Sequence, residues 1–226
     1  MKSNLAIIPA RGRSKRIPGK NIKPFLGKPI IAYSIENALQ SGLFEEIMVS
    51  TDDEGIADLA RKFGANVPFL RSEKTSDDHA ILNDVLREVV AGYRKMGRRF
   101  DAICMLLSTA PLIRQSVLLG AHELLIKEHF DSVRPVVKYP YPIQRSLRMN
   151  NNRVEMFFPE NYSTRSQDLE PAYHDAGQFY WINKDKGLTD PNKGGILIPE
   201  MEAHDIDSPE DWEMAELKYK LLHKIR

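Results

Sequence analysis

The 226-residue sequence has few of the features that mark secreted, membrane-spanning or disulfide-stabilised proteins. Its one cysteine, Cys104, cannot form an internal disulfide and lies in the apolar run AICMLLS, as expected of a buried small residue. No stretch approaches the roughly 18 to 20 apolar residues of a membrane span. The start, MKSNLAIIPARG, has too short an apolar run for a secretory signal. These absences predict a cytoplasmic protein with no membrane partner.

Acidic residues are absent from the first 35 positions, which carry eight lysines and arginines. Residues 36–226 carry 24 basic and 31 acidic side chains, so the net charge of the whole chain is only +1. The positive charge is therefore local, unlike the broad basic surface of most nucleic-acid-binding proteins. The basic segment also lacks the interleaved aromatic residues on which bases stack. We expect no nucleic-acid partner.

The length suits one well-buried domain and is short for two full-sized ones. We therefore expect a single domain over 1–226 with an insertion at about 139–174. This insertion is rich in proline, asparagine and aromatic residues. Its aromatic residues indicate either a partner surface or a cover for the edge of a sheet.

Apolar runs typical of buried strands alternate with segments of helical spacing. Strands are predicted at 4–10, 45–53, 100–108, 132–138, 176–182 and 194–199. Helices are predicted at 29–42, 53–64, 77–97, from near Pro111, and at 208–224, where Ser208, Pro209 and Asp211 form a helix start. This alternation predicts an α/β fold with a mostly parallel sheet between helices, whose ligands bind at the carboxyl ends of the strands.

The loop after the first strand is the main candidate for a ligand site. Its cations are Arg11, Arg13, Lys15, Arg16, Lys20 and Lys23. A glycine-containing turn with several cations at the carboxyl edge of a sheet suits a polyphosphate. Neither G-x-x-x-x-G-K-[ST] nor G-x-G-x-x-G is present. On charge alone, a solvated basic loop or a nucleic-acid patch remains an alternative.

The sequence of this loop, IPARGRSKRIPGKNI at residues 8–22, resembles the signature of the cytidylyltransferases that activate sialic acids and related nine-carbon acids. Further family-like segments follow in order: VSTDDEGIADLARKFGANVPFLR, STAPL, HDAGQFYW and HDIDSPEDWEMAE. The resemblance covers nearly the whole chain and is strongest to the branch acting on pseudaminic acid. It implies a Rossmann-like nucleotide-diphospho-sugar transferase fold.

The implied reaction is transfer of CMP from CTP to the anomeric hydroxyl of a nonulosonic acid, with release of pyrophosphate. Pseudaminic acid is the expected acid. Legionaminic, N-acetylneuraminic or Kdo acid is the alternative within the family, and a non-catalytic nucleotide-binding module is the alternative outside it. We also expect a homodimer formed through the insertion.

The resemblance assigns nucleotide binding to the loop and to one later arginine. The implied residues are Ala10, Arg11, Gly12, Ser14, Lys20, Asn21 and Arg71. Arg11 and Lys20 are implied to be catalytic, because cations on the β- and γ-phosphates stabilise charge on the leaving pyrophosphate. Arg13 stands where the family has glycine, and it either adds a phosphate contact or points to solvent. The segment SDDHAILND resembles the one that closes over the base.

For the acid substrate, Arg165 and Gln167 match the segment from which the family recruits polar contacts. Tyr173, Phe179 and Trp181 of the segment YHDAGQFYW are candidate apolar contacts, although only alternate residues of a strand can face the ligand. An arginine can hold a carboxylate through two hydrogen bonds. Leu107 stands where members specific for N-acetylneuraminic acid have glutamine, and an apolar residue there favours a deoxygenated sugar. His174 and Asp175 fit either an acid/base pair or a local turn.

The motif HDID places Asp205 and Asp207 two residues apart, so on an extended segment both carboxylates point the same way. Two carboxylates suit Mg²⁺, which prefers hard oxygen ligands and often bridges to phosphate. The position before the last helix matches the metal-binding segment of the family. Asp207 also precedes Ser208, so a purely structural role in the helix cap is the alternative.

Overall fold

The computed structural model describes residues 3–14, 16–77 and 79–225. Its strands are β1 (Asn4–Pro9), β2 (Pro24–Phe25), β3 (Lys28–Pro29), β4 (Glu46–Ser50), β5 (Ala102–Leu106), β6 (Ser132–Lys138), β7 (Leu147–Asn150), β8 (Arg153–Met156), β9 (Tyr173–Asp175), β10 (Phe179–Asn183) and β11 (Lys193–Leu197). Its α-helices are α1 (Ile30–Ser41), α2 (Glu54–Lys62), α3 (Glu73–Ser76), α4 (Leu82–Lys95), α5 (Gln115–Lys127) and α6 (Pro209–His223).

A mostly parallel sheet forms the centre of the protein. The strand order is β11-β6-β10-β5-β1-β4, and β9 adds beside β6. β1 lies parallel to β4 and β5, and β11 lies parallel to β6. β10 runs antiparallel to both β5 and β6. The α/β class and the mostly parallel sheet predicted from the sequence are therefore confirmed.

Both faces of the sheet are covered, because alternate residues of each central strand enter different cores. In β1, Leu5 and Ile7 pack in one cluster with Tyr93 of α4. Ala6 and Ile8 pack in another cluster with residues of α1, α2 and α5. The almost continuous apolar run of β1 thus reflects burial on both sides.

Helix α6 closes against the segment that follows β1. Ser208 Oγ accepts a hydrogen bond from Asp211 N at 3.2 Å, and the Asp211 carboxylate accepts one from Ser208 N at 2.8 Å, which forms the predicted helix start. Trp212 of α6 packs in a third cluster with Ile17 and Ile206. This cluster fixes the basic loop beside the HDID segment.

Two helix starts differ from the sequence expectation. The helix predicted from residue 77 begins at Leu82, because the Asp77 carboxylate accepts hydrogen bonds from the backbone of His79 and Ala80 and stabilises a turn instead. The helix predicted near Pro111 begins at Gln115. The short helix α3 carries no periodic apolar pattern and was not predicted.

Residues 139–172 leave the sheet and form an arm. Within it, β7 and β8 pair with each other in a separate two-stranded sheet. Large apolar side chains of the arm are exposed, including Met149 at 72% and Val154 at 59%. Among the described residues, none of the helices combines the length and apolarity needed to cross a membrane.

Candidate active site

A cavity of about 280 Å³ opens at the carboxyl ends of β1 and β5. This is the edge at which ligands bind in open α/β sheets. Its lining includes five of the residues predicted to bind nucleotide: Arg11, Ser14, Lys20, Asn21 and Arg71. The opposite wall comes from residues 75–85 and 107–109. Lys15, also predicted as a loop cation, lies outside the described residues, as does Asp78 of the predicted base-closing segment.

Asn21 holds the two ends of the basic loop together. Its Nδ2 donates to the Arg11 carbonyl oxygen at 2.9 Å, and its Oδ1 accepts a hydrogen bond from Ser108 Oγ at 2.8 Å. Asn21 and Ser108 are both buried. The loop after β1 is therefore tied to the loop after β5, and this tie fixes the shape of the cavity floor.

Ala10 and Gly12 shape the loop from behind. Ala10 is buried and its N–H donates to the Ser50 carbonyl at 2.9 Å, while the Gly12 N–H donates to Asp52 Oδ1 at 2.8 Å. A Cβ at Gly12 would lie 2.9 Å from the Cβ of Asp53, the N-cap of α2, so the loop can approach the start of α2 this closely only with glycine. Ala10 and Gly12 therefore fix the course of the loop backbone through their N–H groups.

Lys20 connects the loop to the segment before α6. Its Nζ donates to the Ile206 carbonyl oxygen at 2.6 Å and lies 3.7 Å from Asp207 Oδ1. The side chain is 17% exposed. Gly19, which precedes it, has φ +63°, a left-handed conformation that glycine adopts without strain. The ammonium group is thus held at the cavity with little freedom.

Arg71 is a buried cation in the cavity wall. Its Nε donates to Ser50 Oγ at 3.1 Å, and its NH2 donates to the Ser50 carbonyl. Burial lowers the pKa of Arg71 to about 10, while the nearby carboxylates of Asp52 and Glu88 act in the opposite direction. The guanidinium is still charged at neutral pH, and it is fixed in place by the end of β4.

Arg11 reaches across the mouth of the cavity. Its NH1 donates to the Asp77 carbonyl oxygen at 3.3 Å. This contact joins the basic loop to the turn before α4. The two predicted catalytic cations, Arg11 and Lys20, therefore border one space from two sides.

Asp205 and Asp207 flank Ile206, which is fully buried in the cluster under α6. On this extended segment both carboxylates consequently face away from the core. Asp207 forms an ion pair with Arg16, and the NH1 to Oδ2 distance is 2.5 Å. No group of three or more histidine, cysteine or acidic side chains that could hold a metal occurs among the described residues. Asp207 adjoins the cavity through Lys20, and Asp205 lies two residues before it. These two carboxylates fit Mg²⁺, which commonly takes one or two carboxylates and completes its shell with substrate phosphates and water.

A second polar cluster lies beside Asp205. Arg134 NH1 is 3.0 Å from Asp175 Oδ2, and its guanidinium lies 4.8 Å from the centre of the Tyr180 ring. The Asp175 carboxylate also accepts hydrogen bonds from the Tyr180 hydroxyl and from Gly177 N. Burial, together with the charges of Asp175 and Asp205, raises the pKa of the Tyr180 hydroxyl. This hydroxyl therefore stays protonated, and its single O–H is directed to Asp175.

The comparisons with known proteins agree with this geometry. The family model described as Cytidylyltransferase matches residues 5–190. The chain belongs to the cytidylyltransferase family. A pseudaminic acid cytidylyltransferase of Campylobacter jejuni is 44% identical to it over 98% of both chains. A CMP-N,N'-diacetyllegionaminic acid synthase of Legionella pneumophila is 36% identical over 94% of both chains.

A solved structure of a CMP:2-keto-3-deoxy-manno-octonic acid synthetase complexed with CTP has the same fold. It superposes with a TM-score of 0.71 and covers 99% of this chain and 100% of its own, at 18% sequence identity. The fold of this cytidylyltransferase is therefore the Rossmann-like fold of nucleotidyltransferases.

The residues predicted to contact the acid substrate are not brought together in this cytidylyltransferase. Arg165 and Gln167 lie in or beside an exposed 3₁₀ turn of the arm, away from the cavity lining. Tyr173 is half-exposed on β9. Phe179 is fully buried in the core under α1 and α5, so this side chain cannot reach a ligand. Because strand residues alternate, its neighbour Tyr180 faces the other side of the sheet.

Three residues of the site were not singled out from the sequence. Ser108 lies in the quoted STAPL segment, which was the signal available for it. Arg134 and Tyr180 lie within predicted strands. A polar side chain in a strand is usually expected to point toward solvent, so neither residue was taken as part of a site. Only the antiparallel insertion of β10 between β5 and β6 places the two together.

His174 and Asp175 are explained in part by local contacts. His174 Nδ1 lies 2.9 Å from the Asp175 carbonyl oxygen, and the His174 ring packs at 4.9 Å from that of Tyr139. The Asp175 carboxylate is held by Arg134 and by the turn at Gly177. These contacts describe a strand end and its turn.

Proposed function

We propose that this cytidylyltransferase transfers CMP from CTP to the anomeric hydroxyl of a nonulosonic acid, with pseudaminic acid as its substrate. The observation that supports this most is the convergence of Arg11, Lys20 and Arg71 on one cavity, next to Asp207. Three cations that line one cavity complement the negative charge of a triphosphate. The 44% identity to a pseudaminic acid cytidylyltransferase supports the choice of acid.

The roles of the cations follow from the charge that develops in the reaction. The anomeric oxygen forms a bond to the α-phosphorus, the bond from that phosphorus to the bridging oxygen breaks, and the hydroxyl proton passes to solvent. The electron pair of the broken bond goes to pyrophosphate, whose negative charge grows. Lys20 and Arg11 lie where they would hold the β- and γ-phosphates, so their stabilisation would be greatest as the leaving group departs.

Asp205 and Asp207 are the residues that would hold Mg²⁺. When bound, the ion would neutralise phosphate charge and polarise the phosphoryl oxygens. The carboxylates themselves orient the end of the basic loop, because Asp207 pairs with Arg16 and Lys20. Ile206 anchors the segment between them in the core.

The acid substrate would lie toward Arg134 and Tyr180. In a nonulosonic acid, the carboxylate is attached to the anomeric carbon, so it must lie within a few bonds of the reacting phosphorus. Arg134 keeps guanidinium donors beyond the one that contacts Asp175, and these could hold the carboxylate. The Tyr180 hydroxyl, whose own proton is directed to Asp175, could accept a hydrogen bond from the sugar. Leu107 adds an apolar patch to the cavity lining, which suits the terminal methyl of pseudaminic acid.

The arm would serve a second copy of the chain. Arg165 and Gln167 do not line the cavity of their own protomer, and the arm exposes Met149 and Val154. We propose a homodimer in which the arms form the interface and bring these two polar residues to the acid substrate.

The test is a pyrophosphate-release assay with CTP and, side by side, pseudaminic, legionaminic, N-acetylneuraminic and Kdo acids. We expect the highest kcat/KM with pseudaminic acid and complete dependence on added Mg²⁺. A clear preference for legionaminic acid would overturn the substrate and keep the reaction class. Full activity of the wild type after exhaustive chelation would overturn the metal, whatever the variants of Asp205 and Asp207 show.

A further inference from the structure

The carboxylate of Asp207 is occupied by two cations. Arg16 NH1 lies 2.5 Å from its Oδ2, and Lys20 Nζ lies 3.7 Å from its Oδ1. The backbone of Asp207 is fixed, since its N–H donates to the Asp211 carboxylate at 3.0 Å in the cap of α6. A divalent cation at Asp207 must therefore displace positive charge that is already there.

The two cations differ in how firmly they are held. Lys20 is 17% exposed and is also tied to the Ile206 carbonyl oxygen. The Arg16 side chain is 69% exposed, and Asp207 is its one hydrogen-bond partner among the described residues. Because an exposed ion pair contributes little free energy, Arg16 is the cation that can leave.

We infer that Arg16 is an exchangeable counter-ion. It pairs with Asp207 while no nucleotide is bound, and it moves to the triphosphate when nucleotide binds, which makes Asp207 available to a metal ion. The inference rests on the proposed function, in which Asp207 is a metal ligand. The new position is close, because Arg16 NH1 and the Nζ of Lys20, which lines the cavity, lie beside the two oxygens of one carboxylate. A guanidinium binds phosphate through two parallel hydrogen bonds.

This exchange makes the metal ion and the nucleotide assist each other. Without nucleotide, Arg16 competes with the metal for Asp207. With nucleotide, the phosphates offer Arg16 another partner and Asp207 becomes available. Removal of Arg16 should thus have effects of opposite sign on the two ligands, tightening the metal and weakening the nucleotide. A loop that merely lost its fold would bind both more weakly.

The experiment measures each ligand alone, which avoids direct binding of metal to CTP. Mn²⁺ binding to the nucleotide-free protein is followed by the electron paramagnetic resonance signal of free Mn²⁺. CTP binding is followed by calorimetry in EDTA. The proteins are the wild type, Arg16→Ala, Asp207→Asn, the double variant and Arg13→Ala. Arg13 is an exposed cation of the same loop and serves as the matched control for loss of one charge.

For Arg16→Ala we expect Mn²⁺ to bind about fivefold more tightly than to the wild type, the upper range for an exposed ion pair. CTP should bind it more weakly, Arg13→Ala should match the wild type in Mn²⁺ binding, and the double variant should lose the gain. Equal Mn²⁺ affinities for the wild type and Arg16→Ala, or equal gains in Arg16→Ala and Arg13→Ala, would overturn the inference. Unchanged CTP binding by Arg16→Ala would overturn the transfer to the triphosphate. If Asp207→Asn binds Mn²⁺ as the wild type does, the metal site in the proposed function fails instead.

Discussion

The cavity and the arm of the same chain differ in how far their side chains are buried and hydrogen-bonded. At the cavity, Asn21, Ser108 and Arg71 are buried and each is hydrogen-bonded to a neighbouring loop or strand. In the arm, β7 and β8 contact each other through one short ladder, and their apolar side chains are exposed. The cavity proposed to hold the triphosphate is thus ordered within one chain, whereas the apolar side chains of the arm are exposed.

The difference has an energetic reason. An isolated two-stranded hairpin is at best marginally stable in water, and contiguous exposed apolar surface usually marks an interface. The cavity residues obtain their order from the sheet. The arm residues are exposed instead, and the proposed homodimer would supply the surface that orders them.

The largest expected effect tests the cavity. Lys20→Ala should lower kcat by about 10²- to 10³-fold, the usual loss when one preorganised electrostatic contact to a transition state is removed. Pyrophosphate release under saturating CTP and pseudaminic acid measures it. Lys62→Ala, an exposed lysine at the end of α2, is the control and should retain wild-type activity. Near-normal turnover of Lys20→Ala would refute the assigned role.

Arg71→Met should separate binding from stability. Folding lowers the pKa of Arg71 to about 10. The unfolded chain therefore holds this proton more tightly, and at every pH below about 10 the buried charge costs folding free energy. Methionine removes the free-energy cost of the buried charge, but it also removes the hydrogen bonds to Ser50. Because these two changes oppose each other, the thermal stability should change little. CTP affinity should fall about 10- to 100-fold, as for a lost charge-assisted hydrogen bond.

Calorimetric CTP titration and a thermal melt measure these two quantities for Arg71→Met. Arg61→Met, which removes an exposed arginine paired with Asp58, is the control for loss of charge. A variant that unfolds at much lower temperature and binds CTP normally would show that Arg71 is a structural residue only.

The arm is tested by changing its surface while its ladder is kept. Met149 and Val154 are directly opposite in the β7–β8 register. Met149→Lys with Val154→Glu replaces an apolar pair by an opposite-charge pair that the hairpin can keep. Since each buried apolar side chain contributes about 1.5 to 3 kcal/mol, the dimer dissociation constant should rise by more than about tenfold. Light scattering after gel filtration measures the oligomer.

The control for the arm exchanges the charges of the neighbouring cross-strand pair, Arg148→Glu with Glu155→Arg. This variant keeps the apolar surface and should remain dimeric. CTP affinity should be unchanged in both variants, because the cavity is complete within one chain. A monomeric wild type, or a dimer that survives the Met149 and Val154 substitutions, would contradict the assignment of the arm.

The contrast between the cavity and the arm also explains which parts of the structure could be predicted from the sequence. The central strands and α6 with its cap followed from local patterns, because apolar periodicity and capping residues determine them. The residues that line the cavity were predicted through the family resemblance. The start of α4 did not follow from local patterns, since the Asp77 side chain competes with the helix for backbone N–H groups. The residues proposed to face the acid substrate did not follow from local patterns either. Phe179 and Tyr180 are adjacent in sequence, and only the faces of the finished sheet decide that Tyr180 is the one beside Asp205.

The smallest expected effect concerns Leu107, at the border between the two halves. Its backbone is fixed, because its N–H donates to the Gln178 carbonyl at 2.8 Å and its carbonyl accepts from Ser34 Oγ at 2.7 Å. Leu107→Gln should therefore change the side chain alone. An amide there must be desolvated against a methyl group but can hydrogen-bond a hydroxyl, so it favours the more hydroxylated acid.

We expect Leu107→Gln to shift the ratio of kcat/KM between pseudaminic and N-acetylneuraminic acids by about tenfold toward the latter, within the roughly 1 to 3 kcal/mol that one small group contributes to discrimination. The ratio is measured by pyrophosphate release with both acids in parallel. Ile81→Gln is the matched control, because Ile81 lines the same cavity on the α4 side and is 57% exposed. It should alter the KM for CTP and leave the acid ratio unchanged. If Leu107→Gln instead changes the KM for CTP and leaves the acid ratio intact, Leu107 belongs to the nucleotide half, and the boundary between the two regions must lie closer to Arg134.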